Sequence, residues 1–141
     1  MKFSEKVRNR ELAVFADVLG LASVLKLFSG DVPHRCADAD PVGEIATVEP
    51  PRELFNSPNG GQLHISQPWL GECHADGAAK SFRIVDHFGE VHIQGTVTGP
   101  EGNGDLKLDP NEMVAGQRVS ISSFTLDRSD AAEERWERLK R

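Results

Sequence analysis

Two alternating stretches separated by a turn constrain this chain more than anything else in it. Ser81–Val85 sets Phe82 and Ile84 against Arg83 and Val85, and Val91–Val97 sets Val91, Ile93, Gly95 and Val97 against His92, Gln94 and Thr96. A period of two is the signature of strands with unlike faces. His87-Phe88-Gly89 lies between them, with Gly89 to supply a positive φ, so the two strands are expected as antiparallel neighbours in a hairpin. Gly95 inside so strong a strand implies a bulge or a close approach by another backbone or ring. His92 and Gln94 share the less apolar face and read as a satisfied polar patch or a subunit contact, which makes His92 a candidate ligand contact.

The loop that follows, Gly99 to Asp105, invites comparison with phosphate-binding loops. It has no lysine followed by serine or threonine, and it leads into Leu106-Lys107-Leu108, a strand pattern and not a helix. A permissive connection between strands is the expectation. Further strands are expected over Ser23–Phe28, Gly43–Val48, Leu63–Ser66 and Arg118–Leu126, with a short helical turn over Pro51–Phe55. The Asp31–Gly43 segment, with two prolines and three aspartates, is expected to be irregular.

Helices are expected at the two ends. Ser4 is an N-cap, Glu5 stands in the first turn, and Gly20 is a stop, with Leu12, Phe15 and Leu19 on one face. That face packs either on the chain's own sheet or on a neighbouring subunit. At the other end Ser129-Asp130 caps a second helix with Ala132, Trp136 and Leu139 in one stripe, supported by Glu134–Arg138 and Glu137–Arg141 pairs. Leu12, Phe15, Leu19, Trp136 and Leu139 are therefore candidate partner-binding residues. The organisation reads as a helical arm over 1–20, an antiparallel β-domain over 21–127, and a C-terminal helix over 128–141.

Chemistry is sparse. No serine or cysteine nucleophile stands in a motif with a histidine, so no catalytic residue and no cofactor are expected. Cys73, His74 and Asp76, with His64 also in reach by sequence, form one half-site, and His34 with Cys36 another; a structural zinc site needs ligand pairs from two places, so no metal is expected either. Cys36 and Cys73 are expected as free thiols. Trp69 either covers one end of the core or meets a ligand. The net charge of -6 argues against a nucleic-acid binder, and no stretch approaches the ~20 apolar residues that cross a bilayer. The N-terminus lacks the pattern of a secretory signal and is expected to stay in the mature protein.

MKFSEKVRNRELAVFADVLG, KLFSGDVPHRCADAD, SFRIVD, VHIQGTVTGPEGNGDLKLD and GQRVSISSFTL, in this order and spacing, resemble a family of small β-rich structural proteins encoded among the head and tail morphogenesis genes of tailed bacteriophages. The resemblance implies a non-enzymatic virion protein with an antiparallel β-sandwich or jelly-roll-like domain. It implies capsid decoration or a place at the head–tail junction, assembly as a trimer or higher homo-oligomer, and contact with the major capsid protein. The alternative is a carbohydrate- or receptor-binding module of a head or tail fibre, with Trp69 and His92 as contacts.

Overall fold

The computed structural model describes residues 1–129. The expected C-terminal helix, with Trp136 and Leu139, lies outside the described residues. The described chain is mainly β: α1 (Glu5–Leu19) precedes β1 (Val24–Phe28), β2 (Glu44–Glu49), β3 (Gln62–His64), β4 (Trp69–Cys73), β5 (Gly77–Ala78), β6 (Ser81–Val85), β7 (Val91–Thr98), β8 (Leu106–Lys107), β9 (Glu112–Met113), β10 (Arg118–Ile121) and β11 (Thr125–Asp127).

Seven strands gather in one curled sheet of order β10-β4-β2-β1-β6-β7-β8, and β11-β3 and β5-β9 form two small ribbons beside it. The expectation was an all-antiparallel sandwich or jelly roll. The observed sheet is mixed, because β8 runs parallel to β7, pairing Val97 with Leu106 and Thr98 with Lys107. Parallel neighbours normally need a crossover of a dozen residues or more. Here seven residues suffice because the loop is glycine-rich: a Cβ on Gly102 or Gly104 would press within 2.5–2.7 Å of Thr98 atoms. The chain doubles back against its own strand, and only glycine leaves room.

β6 and β7 pair antiparallel as their alternation requires, with Phe82 opposite Gly95 and Ile84 opposite Ile93. The close approach implied by Gly95 is the Phe82 ring, whose Cε1 would lie 2.7 Å from a Cβ at that position. One sheet face carries Leu25, Leu27, Ala46, Val48, Phe82, Ile84 and Cys73, all buried in a single core. Trp69 is completely buried there, edge-on to Phe55 and Phe124 with ring centroids 5.8 and 6.0 Å away, and Phe124 in turn meets Phe82 at 5.5 Å. Both cysteines are free thiols, and burial pushes the Cys73 thiol up.

The other face of β6 is also covered. Arg83, only 1% exposed, donates from Nη1 to the Asp38 carbonyl (2.8 Å) and Asp40 Oδ1 (3.0 Å) and from Nη2 to the Arg35 carbonyl (3.2 Å). Gln94 Nε2, opposite it on β7, donates to the Pro33 carbonyl, and Ser81 Oγ to the Gly30 carbonyl. The irregular segment between β1 and β2 is thus strapped over the sheet by polar side chains that the alternation pattern assigned to an outer face.

Helix α1 begins as expected: Ser4 Oγ accepts the Val7 N–H at 3.2 Å, and Gly20 at φ 73° ends it. It packs on the chain's own β-structure. Leu12 and Leu19 are buried beneath it and Phe15 is half-buried, so these three residues form the helix's inward side and are not a free docking surface in the folded chain. Two local expectations also give way. No helical turn forms over Pro51–Phe55, because Phe55 bridges Ile65 instead. The single strand expected over Arg118–Leu126 is broken at Ser122–Phe124, which shifts the phase and turns Phe124 into the core.

Candidate functional site

The tip of the β6–β7 hairpin combines a turn closed by side-chain and main-chain hydrogen bonds with the most exposed phenylalanine among the described residues. Asp86 follows β6 directly, and its Oδ1 accepts the backbone N–H groups of Phe88 (2.9 Å) and Glu90 (3.0 Å). An aspartate that bonds the backbone two residues on mimics a turn and closes it. Main-chain bonds complete the closure, from Asp86 N–H to the Glu90 carbonyl and from Gly89 N–H to the Asp86 carbonyl, both at 3.0 Å. Gly89 takes φ 83°, the conformation its lack of a Cβ permits.

The second oxygen of Asp86 reaches back to β7. His92 Nε2 lies 2.8 Å from Asp86 Oδ2, and since an ionised carboxylate only accepts, Nε2 is the donor. This hydrogen bond is the largest cause of a lowered Asp86 pKa; the Glu90 and Phe88 N–H groups act in the same direction, against the opposing effect of desolvation. Glu90 Oε2 stands 3.9 Å from the same imidazole nitrogen. Asp86, Glu90 and His92 therefore bring three ligand-type atoms within 4.8 Å of one another, a grouping the sequence did not reveal. With both Asp86 oxygens engaged by the turn and His92, the arrangement acts as a brace, and it holds the strand ends in register.

What the brace presents is Phe88. Its side chain is 90% exposed, and the His87 ring stands edge-on to it with centroids 5.3 Å apart. An isolated exposed leucine means little, but a large aromatic held out on a closed turn is a preorganised contact. Sequence reasoning treated Phe88 only as a turn residue. The available signal was Asp86 at the head of an Asp-His-Phe-Gly turn, which marks a closed loop whose intervening side chains point outward.

The other sequence candidates separate widely. Trp69 offers no surface to a ligand, and its place is the core. His92 is part of the hairpin brace and Gln94 is part of the strap over the sheet. Cys73, His74, Asp76 and His64 are not gathered: His64 Nδ1 meets Thr125 Oγ1, His74 lies 3.8 Å from Glu44, and Asp76 Oδ1 accepts the Ala115 N–H. Among the described residues no helix is long and apolar enough to cross a membrane. Compared with known proteins, the chain matches no family model, no curated protein and no solved structure. The fold and the site therefore define its class by themselves: a mainly β domain with one curled mixed sheet and a braced, aromatic-tipped hairpin.

Proposed function

We propose that this chain is a non-enzymatic structural module that binds other proteins, a component of a tailed-phage particle acting as capsid decoration or at the head–tail junction. The observation that carries the reading is Phe88 held out on a turn whose conformation is fixed before any partner arrives. Aromatic side chains are enriched at the centres of protein interfaces, and a preordered contact loses little conformational entropy on docking. The resemblance of the surrounding SFRIVD and VHIQGTVTGPEGNGDLKLD segments to phage structural proteins supplies the setting. The partners in this reading are further copies of the chain, as a trimer or higher, and the major capsid protein. The fibre alternative loses its tryptophan contact to the core and keeps only His92.

The test is incorporation into particles. In purified virions of a phage encoding this chain, the protein is expected at a stoichiometric copy number. Phe88→Ser is expected to reduce its retention on particles about 30-fold, the scale of one interface hot spot. Its thermal midpoint should stay within about 2 °C, because a substitution at an exposed tip touches nothing inside the fold. Absence from particles would overturn the reading; undiminished retention of the variant would remove Phe88 from it.

A further inference from the structure

Among the described residues one group of side chains gathers three metal-ligand atoms, and it is neither of the half-sites read in the sequence. Asp86 Oδ2, Glu90 Oε2 and His92 Nε2 all lie within 4.8 Å of one another at the tip of the β6–β7 hairpin. Asp86 follows β6, Glu90 precedes β7 and His92 stands on β7, so closing the hairpin is what assembles the group. The imidazole separates it from an ordinary acidic surface patch. Carboxylates alone suit hard cations such as calcium, which take about six to eight oxygens, whereas a nitrogen beside two oxygens suits a borderline ion such as zinc.

The spacing fits such an ion. Zinc holds nitrogen and carboxylate oxygen at about 2.0–2.2 Å, which in a tetrahedron sets neighbouring ligand atoms about 3.4 Å apart. His92 Nε2 lies 2.8 Å from Asp86 Oδ2 and 3.9 Å from Glu90 Oε2, on either side of that value. Entry of the ion opens the first pair and closes the second by about half an ångström each. Glu90 can supply the closing movement, because its side chain is 74% exposed. Asp86 needs no rearrangement, since its Oδ1 stays on the Phe88 and Glu90 N–H groups and its Oδ2 already faces the imidazole. Hydrogen bonds of this kind orient a ligating carboxylate from behind.

We propose that Asp86, Glu90 and His92 bind one divalent ion of the zinc type, each through a single atom, with the fourth position left to water. The ion takes the place of the proton between His92 Nε2 and Asp86 Oδ2, and the neutral imidazole then carries its proton on Nδ1. Without metal the brace joins the side chains of His92 and Asp86; bound metal adds Glu90 as a further tie across the turn. Phe88 projects from the same turn, so the ion tightens the platform that presents it. The site rests on hairpin geometry and ligand chemistry, and it stands whether or not the virion reading does.

Zinc chloride titrated into the full-length protein, followed by calorimetry and by amide NMR spectra, tests the site. One equivalent is expected to bind, and the Phe88 and Glu90 amide signals, whose N–H groups donate to Asp86 Oδ1, are expected to move as it does. Glu90→Gln should weaken binding about tenfold or more while leaving the thermal midpoint unchanged, because the side chain is mostly exposed. His92→Asn should weaken it at least as much. Cys36→Ser, which removes a free thiol with its own affinity for zinc, should leave the affinity as it is. No binding of zinc, or zinc held as tightly by Glu90→Gln as by the wild type, overturns the proposal. So does binding that disappears with Cys36→Ser, or saturation that leaves the two hairpin amides unmoved.

Discussion

A guanidinium with 1% of its surface exposed must find acceptors or cost several kcal/mol, and the three acceptors that Arg83 Nη1 and Nη2 find all lie in one loop, while its Nε has no partner among the described residues. Two of its three partners are carbonyls, so the residue organises backbone as well as charge. Asp40 is the third, and its carboxylate is nearly half exposed. These inequalities separate the two ends of the ion pair. Arg83→Ala leaves the Asp38 and Arg35 carbonyls without their donor and a void beneath the strap, and is expected to lower unfolding free energy by about 3 kcal/mol. Asp40→Asn loses only the exposed half of a screened pair and is expected to cost under about 1 kcal/mol. Urea unfolding of the two variants checks the contrast; equal losses would mean that the charge of Asp40, and not the loop carbonyls, is what Arg83 serves.

At the scale of elements, the hairpin ties stability to pH through one carboxylate. The folded state holds Asp86 below its ordinary value of 3.8, so the unfolded chain binds the proton more readily. The stabilisation is fully present above that value and is lost as pH falls through the lower folded value. Acid titration should therefore loosen the tip below pH 3.8, read as faster amide exchange at Phe88 and Glu90, and Asp86→Asn should remove that acid-dependent step. Persistence of the step in the variant would assign it to another group. The same hairpin shows what a sequence makes legible. Its strands and turn follow from alternation and one glycine, because each signal is local. β4 has no such pattern: Gly71 and Glu72 interrupt it, and its glycine is required by the neighbouring Thr47–Val48 backbone, a contact only the fold creates. The parallel return of β8 is equally non-local, since it depends on Gly102 and Gly104 packing on Thr98. The candidate site was half legible for the same reason. His92 stood out as a polar residue in a strand, whereas the exposure of Phe88 and the reach of His92 to Asp86 depend on how the hairpin closes.

At the scale of the whole molecule, the curled sheet and its β3–β11 ribbon are joined by one run of aromatic rings. Phe55 bridges Ile65 just beyond β3, Trp69 belongs to β4, Phe124 leads into β11, and Phe82 lies on the inner strand β6. Edge-on contacts connect them in that order through Phe124, so the indole of Trp69 is packed between the sheet and the ribbon. A residue in that position contributes to the cohesion of the fold and not to recognition at its surface. Trp69→Ala should remove two ring contacts and leave a cavity that the surrounding strands cannot fully close, at a cost of about 4 kcal/mol. For a domain of this size that corresponds to a thermal midpoint lowered by about 15 °C, in a single transition, because sheet and ribbon lose the same anchor. Far-UV circular dichroism during heating measures the shift. A tryptophan that instead served as a sugar contact would leave the midpoint unchanged and abolish glycan binding, and that pair of results would return Trp69 from the core to the surface.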